Sequence, residues 1–352
     1  MKKLRMGIVG CGGIFNASHR PAYLRMENVE VVALCDIIPE RAERFLKEFP
    51  GAKVYADYNE MIRNEEVDAV DICTPNYLHP IIACAAMNAG KHVISEKPDS
   101  PTVEGVLEMQ ETARKTGKVL MVIRNNRFVP ASSFARKYIQ DGEAGEIYTA
   151  HCGWKRRRGI PGKGGWFTTK EKSGGGPLID LGVHMIDLAL WLMGNPKPVA
   201  VTGCTYSKFA GSNLSDSENS KFGDSDSTGV YDVEDLAMGF VRMDNGACLT
   251  IEFSWASNVG KEYRFVELYG TKSGLKWEDE KLTLFEERGG ALMDSTPKLA
   301  PAFQAHEMNL RHFADVILND VEPIFVPQQG VDVVKLICAL YESAATGKEV
   351  RL

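Results

Sequence analysis

The sequence predicts an α/β chain in which a doubly wound parallel sheet is followed by an α+β domain with an open, mainly antiparallel sheet. Three observations carry that expectation. From Leu4 to about Arg124, short apolar runs alternate with amphipathic stretches; a glycine-rich loop follows the first run; beyond Arg124 the runs lengthen and alternate residue by residue. The change of rhythm sets the domains at residues 1–124 and 125–352.

In the first domain six runs read as strands: Arg5–Gly10, Val29–Asp36, Lys53–Asp57, Val67–Pro75, Lys91–Pro98 and Lys118–Asn125. Helix-like stretches such as Pro39–Phe49 and Thr102–Lys115 separate them, and strand, helix, strand repeated in this way gives parallel pairing. Pro39 suits a first helical turn, and Asn88-Ala89-Gly90 stops a helix before the next strand.

In the second domain a helix over Ala131–Asp141 precedes runs at Glu146–Trp154, Val199–Tyr206, Ala237–Met243, Ala247–Ala256 and Arg264–Tyr269. Asn245-Gly246 joins two of them with a strong hairpin signal. Within Ala247–Ala256, Leu249, Ile251, Phe253 and Trp255 share one face, while Cys248, Thr250, Glu252 and Ser254 share the other. Ser207–Tyr231, rich in Ser, Asp and Gly, has little to bury and is expected to be a mobile loop.

The bulk numbers narrow the function. A chain of 352 residues, 44% of them hydrophobic, can build two cores, and a net charge of -6 argues against a nucleic-acid partner. Eight scattered cysteines without C-x-x-C spacing read as buried free thiols, with neither a disulfide framework nor a zinc site, so no metal is expected. No stretch approaches 18 uninterrupted apolar residues, and Met1-Lys2-Lys3 leads directly into a strand. A cytoplasmic protein without membrane contact is expected.

The first loop, Gly7-Ile8-Val9-Gly10-Cys11-Gly12-Gly13-Ile14-Phe15, carries most of a dinucleotide fingerprint. In that motif the first glycine makes the turn, the second admits the pyrophosphate, and the third lets helix and strand pack closely. Gly10 and Gly12 hold the two ligand-facing places, and Phe15 replaces only the packing glycine. The second strand ends in Asp36, 24 residues after Gly12, a separation close to that expected for a carboxylate on the adenosine ribose hydroxyls. Asp36 opposes a 2'-phosphate, and Ile37 and Ile38 follow it where an NADP site would place arginine; NAD is therefore predicted over NADP. The other reading of Asp36 is a carboxylate that caps a helix.

Two stretches bear chemistry. His92–Pro98 delivers Glu96-Lys97-Pro98 at the carboxyl edge of the parallel sheet, where doubly wound folds bind ligands. A lysine there can hydrogen-bond a substrate hydroxyl; an exposed, salt-bridged lysine is the alternative. The second stretch is Gly174-Gly175-Gly176-Pro177 leading into Asp180, His184 and Asp187, which share one face if the segment is a single helix. Three ionisable groups on an apolar helix are costly unless they line a cleft. A histidine among carboxylates can take a hydroxyl proton while a hydride leaves the same carbon.

Together, Gly10-Cys11-Gly12-Gly13-Ile14, Cys73-Thr74-Pro75-Asn76 with His79, Glu96-Lys97-Pro98, Asn126-Arg127-Phe128, and Asp180-x-Gly182-x-His184-x-x-Asp187 resemble the glucose-fructose oxidoreductase / inositol dehydrogenase family, Gfo/Idh/MocA. Val233-Glu234-Asp235 and the closing Glu342–Lys348 extend the likeness nearly end to end. The resemblance implies an N-terminal Rossmann domain, a C-terminal sheet used for dimer or tetramer contacts, and catalysis in the cleft between the domains. It implies that Lys97 is the catalytic lysine, Asp180 the substrate-orienting acid, and His184 the general base in oxidation and acid in reduction. Gly10, Gly12, Gly13, Ile14, Thr74, Pro75, Asn76, His79, Glu96 and Lys97 would contact NAD, and Asn126 and Arg127 the substrate. Phe15 departs from the family pattern, which usually has a small residue there.

Trp154-Lys155-Arg156-Arg157-Arg158, with Trp166, admits two roles. Strand alternation lets at most two of the basic residues face one side, and a solvated or interface role is open. In a site, Trp154 or Trp166 would pack on sugar C–H surface while Arg158 bridged hydroxyls or a carboxylate. The first expectation is an NAD-dependent dehydrogenase interconverting a secondary alcohol and a ketone on a sugar, glycoside or cyclitol. The others are a glycoside-cleaving enzyme acting through transient oxidation at carbon 3, and a catalytically silent sugar- or NAD-sensing protein.

Overall fold

The computed structural model describes residues 3–301 and 304–352. The chain divides into two compact units, residues 1–125 with 303–331, and residues 126–302 with 332–352.

The first unit holds six parallel strands, β1 (Leu4–Val9), β2 (Val29–Cys35), β3 (Lys53–Tyr55), β4 (Ala69–Ile72), β5 (His92–Ser95) and β6 (Leu120–Val122), in the order β3-β2-β1-β4-β5-β6. This is the doubly wound order, and its direction reverses between β1 and β4, where ligands of such sheets bind. β4 is buried at every residue, as a central parallel strand covered on both faces must be. The helix Val103–Thr116 starts where the Thr102 side chain accepts from the Gly105 amide and ends at Gly117, which adopts φ +64°.

The boundary expected from sequence needs one correction, because residues 303–331 belong to the first unit and not to the second. Leu310, Phe313, Ala314, Val316 and Phe325 return to complete the apolar cluster built on Leu4, Met6, Ile8 and Phe15. A change of strand rhythm cannot reveal such a return, since a helix that packs on a sheet from far along the chain carries no local mark of its destination.

The second unit is built on a nine-stranded sheet comprising β7 (Ile147–Lys155), β8 (Pro198–Tyr206), β9 (Leu236–Met243), β10 (Cys248–Ser254), β11 (Tyr263–Gly270), β12 (Ser273–Glu278), β13 (Lys281–Arg288), β14 (Ala291–Ser295) and β15 (Val350–Arg351). Its order is β14-β13-β12-β11-β7-β10-β9-β8-β15; β7 and β10 run parallel, and every other neighbouring pair is antiparallel. The Asn245-Gly246 hairpin joins β9 to β10 as expected, with Gly246 at φ +87°. Leu249, Ile251, Phe253 and Trp255 are buried on one face, covered by Pro177–Asp180, while the helix Gly182–Leu192 that follows packs on the neighbouring strands β7 and β11. Strands β12 to β14 have no counterpart among the runs expected from sequence, because Lys276–Arg288 is dense in charge, the usual composition of an exposed sheet margin.

None of the eight cysteines forms a disulfide; Cys11, Cys35, Cys73, Cys84 and Cys152 are buried as expected, and Cys204, Cys248 and Cys338 are half-buried. Ser207–Tyr231 has one short helical turn, Glu218–Lys221, and is otherwise irregular. Polar contacts touch the tract read as a mobile loop: Lys163 Nζ donates to the Ser212 carbonyl (2.9 Å), and Asn219 Nδ2 and Ser217 Oγ donate to Glu262 (2.9 and 2.8 Å). Hydrogen bonds rather than apolar burial hold it.

Candidate active site

In the first unit the glycine loop leaves β1 at Gly10, which adopts φ +94°. A Cβ on Gly10 would lie 2.5 Å from the Cys73 carbonyl oxygen, so both conformation and space exclude a side chain. Gly12 differs: a Cβ there would meet nothing within 4 Å, so its backbone is open on the side a pyrophosphate would approach. Phe15 is fully buried with its ring 5.2 Å from Phe45, edge to face. Where the usual glycine would let a regular helix press against the strand, Phe15–His19 instead winds as a wide π-type turn before Arg20–Tyr23. The widened turn accommodates the large ring and leaves the loop before it intact.

Asp36 combines the two readings given to it. Oδ2 accepts from the Cys11 amide and Oδ1 from the Ile38 amide, both at 2.9 Å, so the carboxylate braces the glycine loop and caps its own turn. Each oxygen retains a lone pair for a ribose hydroxyl. Ile37 beside it is 86% exposed and offers only apolar surface.

At the ends of β4 and β5, Thr74 and Pro75 are half-buried and Asn76 is buried. The Thr74 hydroxyl is buried without a hydrogen-bond partner, an orphaned group suited to a bound ligand. His79 requires a correction: it is fully buried, its Nδ1 2.7 Å from the Pro98 carbonyl and its Nε2 2.9 Å from the Thr74 carbonyl. It ties two loops together and has no surface for a ligand. Glu96 is buried; its Oε2 accepts from the Lys97 amide at 3.1 Å and its Oε1 lies 2.9 Å from His19 Nε2. Lys97 itself is half-buried and precedes a cis peptide bond to Pro98. The open Gly12 backbone, the Asp36 acceptors and the orphaned Thr74 hydroxyl fit a dinucleotide laid along this edge.

In the second unit Gly174-Gly175-Gly176 leads into the segment that bears Asp180 and His184. The glycines are required by space, since a Cβ on Gly176 would sit 2.0 Å from the Glu234 carbonyl oxygen and one on Gly175 2.1 Å from the Tyr341 hydroxyl. Glu234, buried, accepts from the Gly176 and Leu178 amides at 2.9 and 3.0 Å and from Tyr341 Oη at 2.8 Å. Burial pushes its carboxyl above the ordinary range, and these donors oppose that shift.

Asp180, His184 and Asp187 do not lie along one helix. A break at Leu181 separates Pro177–Asp180 from Gly182–Leu192. Asp180 accepts from the Trp255 indole N–H at 2.9 Å. His184 is half-buried with its ring 5.9 Å from that of Trp154. Asp187 faces the core, where Arg127 donates Nε to Oδ2 (2.9 Å) and Nη2 to Oδ1 (2.6 Å). Arg127, 1% exposed and lying over the Trp191 ring, therefore leaves the expected substrate set.

Asn126 is buried as well, yet keeps an unused donor. Its Oδ1 accepts from Arg264 Nη1 at 3.2 Å, while its Nδ2 is buried without a partner and has a proton left to donate. Trp154 is flanked by the guanidinium groups of Arg156 and Arg264, 5.0 and 5.3 Å from its ring, and its indole nitrogen is 3.4 Å from Glu262 Oε1. Arg158 is instead a latch, donating to the Ser257 carbonyl and to Asn258 Oδ1 (both 2.9 Å) and covering Phe209. Trp166 stacks on Phe167 at 3.8 Å. Of the basic run it is thus Arg156, and not the expected Arg158, that accompanies Trp154. Neither Arg156 nor Glu262 sits in a motif, and their proximity comes only from pairing β7 with β11.

Residues 4–124 match the family model described as "Oxidoreductase family, NAD-binding Rossmann fold", and residues 133–276 match the GFO/IDH/MocA C-terminal domain. The chain is 33% identical over 350 residues to D-glucoside 3-dehydrogenase of Escherichia coli, covering 99% of this chain and 97% of that one. It is 30% identical over 295 residues to levoglucosan dehydrogenase of Pseudarthrobacter phenanthrenivorans, covering 80% and 75% of the two chains. A solved levoglucosan dehydrogenase in complex with NADH and levoglucosan superposes with a TM-score of 0.86 at 25% identity, over 100% of this chain and 99% of that one. On these matches the chain belongs to the GFO/IDH/MocA oxidoreductase family, and residues 4–124 are its NAD-binding Rossmann domain.

Proposed function

We propose that this protein is an NAD-dependent dehydrogenase that interconverts a secondary hydroxyl and a ketone on a pyranose sugar or glycoside, with a glucoside oxidised at carbon 3 as the first substrate to test. The observation that carries the proposal is the grouping of His184, half-buried, against the Trp154 ring, with the Arg156 and Arg264 guanidiniums at that same ring and Asn126, its Nδ2 without a partner, bonded to Arg264. An aromatic face beside charged donors is the chemistry that binds a sugar, one surface for C–H groups and the other for hydroxyls. The likeness to a D-glucoside 3-dehydrogenase along nearly the whole chain supports the choice of glycoside.

When bound, NAD supplies the acceptor for the hydride of the carbinol carbon. Gly12, Asp36 and Thr74 would hold it. The proposal assigns removal of the hydroxyl proton to the His184 imidazole, which returns it when the reaction runs toward the alcohol. Lys97 Nζ donates a hydrogen bond to the substrate oxygen and stabilises the charge that grows there. Asp180 orients the substrate from an oxygen already fixed by the Trp255 indole.

Purified protein presented with a panel of monosaccharides, inositols and glycosides in the presence of NAD should produce NADH with at least one pyranoside. If tightly bound NAD cycles without NADH accumulating while a glycoside is cleaved, the elimination reading takes its place. Cofactor choice is tested separately at Asp36. The wild type should prefer NAD over NADP in kcat/KM, and Asp36→Ala should reduce that preference by roughly tenfold or more, on the order of one lost charged interaction. Equal use of both cofactors by the wild type would remove Asp36 from the ribose.

A further inference from the structure

Beneath the carboxyl ends of β4 and β5 lies a cluster of buried titratable groups that the proposed reaction leaves without a role. His19 is fully buried, with Nδ1 2.7 Å from Asp71 Oδ2 and Nε2 2.9 Å from Glu96 Oε1. Asp71 also accepts from Tyr23 Oη at 2.8 Å, and Cys73 Sγ lies 3.5 Å from His19 Nδ1. His306 Nε2 stands 3.7 Å from Glu96 Oε1. The His19, Asp71 and Cys73 donor atoms lie within 4.8 Å of one another, close enough for an ion to bridge. Both imidazole nitrogens already face carboxylates, however, so a proton fills the place a metal would take.

The charge of the cluster follows from its contacts. A ring nitrogen within 2.9 Å of a carboxylate oxygen needs a proton between them, and two such contacts place two protons on one imidazole and two carboxylates. The three groups therefore sum to one negative charge, wherever each proton resides. Burial alone would lower the His19 pKa, but the Asp71 charge and hydrogen bond lift it well above the ordinary histidine value. Burial likewise opposes ionisation of Glu96, and the His19 hydrogen bond overcomes it and holds the carboxyl well below its usual range. The surrounding groups add no charge: burial pushes the Cys73 thiol up to about 12, raises Tyr23 well above its ordinary value, and lowers His306. The Lys97 ammonium, on the residue whose amide donates to Glu96, supplies an opposing charge.

Buried charge triads seldom add net stability over apolar packing of the same volume, so this one calls for another explanation. Of the two mononucleotide halves of a doubly wound sheet, β1 to β3 take the adenosine side and β4 to β6 the other, which carries the nicotinamide. That ring is cationic when oxidised and neutral when reduced. A lysine at the same strand ends repels only the first form. We infer that Asp71, His19 and Glu96 form a buried anionic floor that offsets Lys97 and so raises the affinity of this edge for oxidised NAD relative to NADH. The inference rests on the proposed function only in placing the nicotinamide at this edge.

The test uses full-length protein without sugar and measures the dissociation constants of NAD and NADH separately, by calorimetry, or with NADH followed by its own fluorescence and NAD by the NADH it displaces. Asp71→Asn keeps the shape and removes the net charge. The ratio Kd(NADH)/Kd(NAD) should fall roughly tenfold in this variant, the scale of one unit charge acting through the protein interior. Tyr23→Phe removes a hydrogen bond from Asp71 without changing the charge and should leave the ratio within about twofold of wild type. If Asp71→Asn does not fold, Lys97→Met removes the charge that the floor offsets and should move the ratio the other way, upward. An unchanged ratio in a folded charge variant, or an equal shift in Tyr23→Phe, overturns the inference while leaving the dehydrogenase proposal standing. Failure of the wild type to bind either nucleotide would overturn both.

Discussion

Replacing His184 with asparagine is expected to lower turnover by roughly two to four orders of magnitude, the contribution of a positioned general acid-base group. Asparagine keeps a polar side chain of similar reach beside Trp154 but cannot carry the proton. The NAD dissociation constant should stay within about threefold of wild type, because His184 lies in the second unit and the nucleotide loop in the first. Stopped-flow measurement of NADH formation gives the rate, and a titration of the same preparation gives the affinity. A variant that retains full turnover would remove His184 from the chemistry. A variant that loses NAD binding as well would give the residue a structural role.

The second large effect concerns stability. Arg127 and Asp187 form a two-pronged ion pair at 1% and 2% side-chain exposure, and Arg127→Met would leave an uncompensated carboxylate in the core. That change should destabilise the protein by about 3–5 kcal/mol. The double variant Arg127→Met/Asp187→Leu buries no charge and should recover much of the loss. Urea denaturation of the three variants beside wild type, Asp187→Leu included, measures the coupling. Equal stability of the single and double variants would show that the pair is not the source of the cost. Initial rates of the double variant, if folded, bear on the substrate set, since its KM should stay within a few fold of wild type if Arg127 never meets substrate.

The parts of the fold that local pattern can express are legible in the sequence. Alternation marks β1 to β6 and the faces of β10, and the Asn245-Gly246 step marks the β9–β10 hairpin. The chemistry is legible where it occupies contiguous motifs, at Gly10–Ile14, Glu96-Lys97 and Asp180 to Asp187. Spacing fails where the backbone departs from the ideal. A helix drawn through Asp180, His184 and Asp187 puts all three on one stripe, whereas the break at Leu181 and the pull of Arg127 send the first to Trp255 and the last into the core. Phe15 illustrates the reverse, an apparent defect in the fingerprint that the chain absorbs through a wider turn against Phe45.

Groups joined only by tertiary structure carry no signal at all. His19, Asp71 and Glu96 come from a helical turn and two strand ends, far apart in sequence, and each alone reads as an ordinary polar residue. Arg156 and Glu262 meet because β7 pairs with β11, while Arg158, two residues farther along, is equally basic and turns to a different task. Residues 303–331 carry an ordinary amphipathic pattern that names no partner, which is why their return to the first unit is invisible in the sequence.

The most direct measurement mixes the purified wild-type protein with an alkyl glucoside and NAD, follows NADH by absorbance, and identifies the sugar product by NMR. The account predicts NADH and a 3-keto glucoside in equal amounts, both abolished in His184→Asn. A protein that binds NAD yet transfers no hydride from any member of a broad sugar and cyclitol panel would contradict it.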